Sequence, residues 1–168
     1  EILSQFIAGK KPEIEIEPQL MARLVKSEIL TTKKRLASNE KELREKLEQA
    51  KEFYEKNKYA VIAQLLPEVQ MKAMRRYYRK YVASGFMPFG DGQVNRRYYQ
   101  HNEPLARVIH QNLAKLMSFV IGEEVIPSYV YAAHYIENAY LEPHTDRAQC
   151  EFSISFQIDY LPEPENNL

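Results

Sequence analysis

Residues 135–146 read Tyr135-Ile136-Glu137-Asn138-Ala139-Tyr140-Leu141-Glu142-Pro143-His144-Thr145-Asp146, and the backbone assigned to this stretch decides the rest. His144 and Asp146 are separated by one residue. On a helix, positions i and i+2 point about 200° apart and cannot share a ligand. On an extended chain they point to the same side. Pro143 restricts Glu142 to extended geometry. An imidazole nitrogen and a carboxylate oxygen on one side form a mixed donor pair. That chemistry favours iron, manganese or zinc over calcium. His144 and Asp146 are therefore the candidate metal ligands.

Strand patterns flank the stretch. Residues 128–136 alternate Tyr129, Tyr131, Ala133 and Tyr135 with Val130, Ala132, His134 and Ile136. Residues 151–160 set Phe152, Ile154, Phe156, Ile158 and Tyr160 against Glu151, Ser153, Ser155, Gln157 and Asp159. That is the period of a strand with one apolar and one polar face.

Upstream the period is helical. Pro12 to Pro18, with Ile14 and Ile16 between glutamates, predicts a short edge strand; Leu20, Leu24 and Val25 then predict a helix. Residues 33–58 hold 15 charged side chains around a narrow stripe of Leu36, Leu43, Leu47, Ala50 and Tyr54. Asn39 and Glu42 fit a capping box. Met71, Met74, Tyr78, Tyr81 and Val82 define another helix ending before Gly85, and residues 85–95 read as a loop. Asn102 is a candidate N-cap with Pro104 in the first turn. The stripe Leu105, Val108, Ile109, Leu113, Leu116, Met117 and Val120 then runs to a C-cap at Gly122. Helices first and strands last make an α+β chain.

Composition narrows the function. The 23 Lys and Arg balance 23 Asp and Glu, so total charge gives no support for a nucleic-acid coat. The balance hides a split. Residues 71–110 carry eight basic side chains against two acids, and residues 137–165 carry seven acids against one Arg. The single Cys150 excludes an internal disulfide and a thiolate zinc site, and a reducing, cytoplasmic setting is expected. Cys150 reads as a small packed residue. The apolar runs fall short of a membrane span, so no membrane partner is expected.

The 135–146 stretch resembles the iron(II)/2-oxoglutarate-dependent oxygenases of the prolyl-hydroxylase type, whose motif runs Tyr-x-x-Gly-x-x-aromatic-x-Pro-His-x-Asp. Two positions depart from it: Asn138 stands for the glycine and Leu141 for the aromatic. Asn tolerates left-handed backbone best among residues with a side chain, so the turn is expected to survive. The resemblance covers roughly residues 60–168. It implies a double-stranded β-helix, or jelly roll, with residues 1–58 as an N-terminal helical extension and 59–168 as the N-terminal portion of the oxygenase domain.

The same resemblance implies that His144 and Asp146 are two members of a two-His, one-carboxylate iron triad. Tyr135 would hydrogen-bond the 2-oxoglutarate carboxylate, and Gln157, with Ser153 and Ser155, would line the same cavity. Decarboxylation of 2-oxoglutarate would drive hydroxylation of a C–H bond on an amino acid, peptide or protein side chain, with ascorbate as a possible reductant. The family also needs a later His and then an Arg or Lys, and no His follows residue 146. His101, His110 and His134 are not placed to serve. A jelly roll needs eight strands, and three or four are readable here. The chain as given is thus expected to hold only the first part of the fold.

The alternative is a non-catalytic module binding protein or nucleic acid, with a vestigial His-x-Asp. Its basis is the repeated tetrad Arg75-Arg76-Tyr77-Tyr78 and Arg96-Arg97-Tyr98-Tyr99.

Overall fold

The computed structural model describes residues 16–26 and 33–161. Among them are four helices and a two-stranded antiparallel sheet, a mixed α+β arrangement: α1 Pro18–Lys26, α2 Lys33–Asn57, α3 Glu68–Ala83, β1 Arg97–His101, α4 Pro104–Ile121 and β2 Tyr131–Tyr135. The chain divides into two compact units, Glu1–Arg44 and Glu45–Leu168. No described helix is long and apolar enough to cross a membrane.

In the first unit, α1 starts at Pro18, whose fixed φ suits a first helical position, and ends with Arg23 and Lys26 in its last turn. Met21, Leu24 and Val25 are half-buried, while Leu20, expected inside, is exposed. Residues 12–15 of the expected edge strand lie outside the described residues. α2 runs unbroken through Asn39, so the expected capping box is a mid-helix pair rather than a start. Leu36 is exposed and Leu43 half-buried; the predicted stripe goes on through Leu47, Ala50 and Tyr54, which belong to the second unit and are buried or half-buried.

In the second unit, the C-terminal half of α2 is tied down by the Lys46 ammonium on the Gln64 carbonyl at 3.2 Å and by Lys51 over the Phe119 ring. On α3 all five predicted positions, Met71, Met74, Tyr78, Tyr81 and Val82, are buried or half-buried. Gly122 caps α4 with φ 86°, as expected, donating to the Ser118 carbonyl. The N-cap differs. It is Glu103, not Asn102, whose carboxylate accepts from the backbone N–H groups of Leu105 and Ala106. Asn102 instead takes φ 51° and accepts from the Val130 N–H through its side chain, tying α4's approach to the residue just before β2. Val108, expected in the core, is 56% exposed, and Ala106 is buried in its place.

The sheet pairs Arg97 with Tyr135 through His101 with Tyr131. A bridge from Phe89 to Tyr98 adds a third extended segment on the far side of β1. Gly90 turns this segment with φ 73°, and a Cβ there would lie 3.2 Å from the Asn95 carbonyl oxygen, so only glycine fits without displacing backbone. Residues 151–160 form no ladder among the described residues, contrary to the strand expected there. Their alternation survives only in part, with Phe152, Phe156 and Ile158 half-buried and Ile154 and Tyr160 exposed. Alternating side chains satisfy one demand of a strand; the other is a hydrogen-bonding neighbour. The segment is held by side chains instead: Arg79 of α3 makes two hydrogen bonds, of 2.7 and 2.9 Å, to the Asp159 carboxylate. This pairs the basic and acidic halves of the sequence and holds the Asp159 carboxyl below its usual range.

Two buried charged groups organise this unit. Glu103 is fully buried and accepts from the hydroxyls of Tyr77 at 2.6 Å and Tyr78 at 2.7 Å, besides its two cap bonds. Burial alone would raise its pKa; the four donors outweigh that and lower it. Arg97, 4% exposed, donates to Asp91 at 2.6 Å, Gln93 at 3.2 Å and the Tyr135 hydroxyl at 2.8 Å. Burial also works against the Asp91 charge. Bonds from the Tyr131 hydroxyl, the Val94 and Gln93 N–H groups and Arg97 outweigh it, holding Asp91 well below the usual carboxylate range.

Glu103 carries a testable pH dependence. Its folded pKa lies below the unfolded value of about 4.3. The unfolded chain therefore binds more protons on acidification, and the stability that Glu103 contributes is present above that value and lost as pH falls below it. Urea unfolding between pH 7 and pH 3 should show a steeper acid loss in the native chain than in Glu103→Gln. Glu103→Ala should cost about 3 kcal/mol at pH 7, because it removes a cap and strands two phenol hydroxyls.

Candidate metal site

β2 delivers the candidate site. After Tyr135 the chain leaves the sheet with the Ile136 N–H bonded to the Arg96 carbonyl, then turns at Asn138 with φ 60°. The left-handed backbone expected at this position is present, held by Asn. The Ala139 N–H closes the turn on the Ile136 carbonyl, and residues 139–147 continue without helix or ladder.

In this stretch the His144 Nδ1 lies 2.9 Å from the Glu142 carbonyl oxygen. A carbonyl only accepts, so Nδ1 donates, and in the neutral imidazole Nε2 is the nitrogen with the lone pair. That nitrogen lies 3.9 Å from Asp146 Oδ1. Two donors bound at 2.0–2.2 Å to one ion can be at most about 4.2 Å apart. The pair thus lies near that outer limit, wider than neighbouring ligands on a tetrahedral or octahedral ion, which sit roughly 3.0–3.4 Å apart. The other oxygen of Asp146, Oδ2, accepts from the Ser153 hydroxyl at 2.6 Å. Both side chains are about two-fifths exposed.

The donor set fits two positions of a metal, not three. Among the described residues no group of three His, Cys, Asp or Glu side chains could hold an ion. His101 packs its ring against Tyr131, His134 lies beside Tyr98 on the other sheet face, and His110 is on α4.

The expected 2-oxoglutarate contacts are less gathered. Tyr135 stands opposite Arg97, 46% exposed, and its oxygen accepts from Arg97. The phenol proton is thus left to donate elsewhere. Gln157 and Ser155 are exposed in the unladdered segment. Among the described residues no hydrogen bond joins Tyr135 or Gln157 to the His144–Asp146 pair.

Three residues take parts that the sequence reading did not give them. Ser153 donates to Asp146. Arg97 read as half of a basic tetrad and is a buried structural cation. Arg147 extends over the Tyr129 ring, with 5.3 Å from its guanidinium carbon to the ring centre. Half-buried Cys150 beside Tyr129, together with burial, raises the Tyr129 phenol pKa.

The other sequence candidate is the outer face of α3, where Lys72, Arg75, Arg76, Arg79 and Lys80 line a shallow open depression. Beside them Tyr77 stacks on Tyr81 and Tyr81 on Phe86, which is 65% exposed. Arg75 and Arg79 are engaged by Glu68 and Asp159.

No protein-family model matches the chain, and neither a curated protein nor a solved structure matches it.

The tautomer of His144 can be checked directly. Two-bond proton–nitrogen correlation spectra at pH 8 should show protonated Nδ1 and bare Nε2. The opposite pattern would remove the ligand-ready geometry.

Proposed function

We propose that this chain is the N-terminal part of an iron(II)/2-oxoglutarate-dependent oxygenase of prolyl-hydroxylase type, built on a double-stranded β-helix, hydroxylating an amino-acid side chain. The observation that carries the reading is the His144–Asp146 pair, with Nε2 bare, Oδ1 within 3.9 Å and Nδ1 anchored on backbone. Ligating histidines commonly hold their second nitrogen on a carbonyl in this way. The left-handed φ of Asn138, where the family motif has glycine, supports the reading.

The reaction balances as substrate C–H, dioxygen and 2-oxoglutarate giving C–OH, succinate and carbon dioxide, one oxygen atom entering each organic product. Iron, when bound, supplies the redox centre for dioxygen. The chain's own groups act on binding and orientation. His144 offers Nε2 and Asp146 offers Oδ1. Tyr135 has its oxygen occupied by Arg97, so its proton is available to a 2-oxoglutarate carboxylate. Gln157 is proposed as a second carboxamide contact. The third ligand and the basic residue for the distal carboxylate would come from sequence following residue 168.

Succinate release with iron(II), ascorbate and 2-oxoglutarate, measured on the longest natural form of the protein, tests this. His144→Ala should reduce turnover at least about 100-fold. Unchanged turnover in that variant, or a longer sequence with no later His and Arg or Lys, would remove the assignment.

A second reading has its own observation: the cations of α3 lie beside an aromatic stack that runs from Tyr77 and Tyr81 to exposed Phe86 just past its end. Single-stranded nucleic acid is bound by that combination elsewhere. If α3 does so, affinity falls steeply with salt, and Arg76→Glu with Lys80→Glu weakens it. A salt-independent or absent affinity excludes this reading.

A further inference from the structure

The proposed site leaves one polar contact without a role. Ser153 is exposed, seven residues beyond Asp146, and its Oγ donates to Asp146 Oδ2 at 2.6 Å. In the unbound chain a free carboxylate can rotate about its Cβ–Cγ bond and offer either oxygen, or both. The Ser153 bond selects one orientation. It occupies Oδ2 and leaves Oδ1 as the oxygen nearer His144 Nε2. The Glu142 carbonyl does the corresponding work for the imidazole by fixing which nitrogen is bare. Both potential ligands are thus held by a partner on the atom a metal would not use.

We propose that Ser153 is a positioning residue for divalent-metal binding at His144 and Asp146, presenting Asp146 as a one-oxygen ligand through Oδ1. This rests on the metal assignment made above and extends it to a residue whose role is orientation, not contact with the ion. The physical basis is preorganisation. An exposed carboxylate spends orientational freedom when it binds, and a prior hydrogen bond reduces that loss. Partners of this kind typically change metal affinity by 10–100-fold. Bidentate capture through both oxygens is also disfavoured, because it would require breaking the Ser153 bond. The site then keeps more positions open for exchangeable ligands than a chelating carboxylate would.

Mn(II) titration of the longest natural form of the protein, followed by paramagnetic broadening of the His144 ring protons, tests this without any turnover. In the native sequence His144 should broaden before His101, His110 and His134. Ser153→Ala should require at least about ten times more Mn(II) for the same broadening, with an unchanged thermal midpoint because the side chain is exposed. Ser153→Thr, which keeps the hydroxyl, should restore native behaviour. The two claims fail differently. Selective His144 broadening that is identical in Ser153→Ala overturns the positioning role and leaves the metal assignment standing. No selective broadening at His144 in the native chain overturns the metal assignment and this inference with it.

Discussion

A carboxylate with no exposure to water is the constraint on which the second unit depends. Glu103 closes the N-terminus of α4 and simultaneously takes hydrogen bonds from two tyrosines of α3. Such a group is tolerable only if every partner stays in place, since an unpaired buried charge costs several kcal/mol, on the order of 3–5 when one partner is removed. That requirement fixes α3 against the start of α4. It also fixes the end of β1, because only Asn102 separates His101 from Glu103. The donors shift the balance so far toward ionisation that burial is overcome, and the tyrosines respond in turn: the Tyr77 hydroxyl, hydrogen-bonded to Glu103, is pushed up to about 12.

The second buried charge sits at the opposite end of β1. Arg97 gathers Asp91 and Gln93 from the preceding loop and Tyr135 from the neighbouring strand, with the Tyr131 ring beneath its guanidinium. A lysine could not span these directions at once. The two hubs thus hold both ends of a five-residue strand whose partner, β2, leads within a few residues to the turn at Asn138 and on to His144. The candidate site is placed by polar contacts more than by apolar packing, which fits its position on an exposed segment following the sheet.

Where local pattern alone decides structure, the sequence was legible. The inward face of α3, the stripe of α2 from Leu43 to Tyr54, the Gly122 cap and the left-handed Asn138 all follow from periodicity and backbone preference. So does the proximity of His144 and Asp146. The departures have a common cause. Asn102 has good capping chemistry, but Glu103 has two tyrosines to meet and takes the cap, while Asn102 reaches Val130. Asn39 and Glu42 match a helix start, yet nothing stops α2 from running through them. Residues 151–160 alternate like a strand but have no ladder partner among the described residues. For the cap and for residues 151–160 the deciding group, present or missing, lies far along the chain.

The strand β1, between α3 and α4, escaped the sequence reading; by itself, the amino-acid sequence determined the helices, most of the faces that pack, and a His-x-Asp pair close in the chain. Those are consequences of spacing and of φ, ψ preference, which act within a few residues. Only the tertiary structure decided that Glu103 and Arg97 are buried and fully partnered. It alone decided that the Tyr135 oxygen is taken by Arg97, and that Ser153 holds one oxygen of Asp146 while the other is left toward His144. Hydrogen bonds between distant residues are set by where the fold brings donor and acceptor together, and no local pattern encodes that meeting.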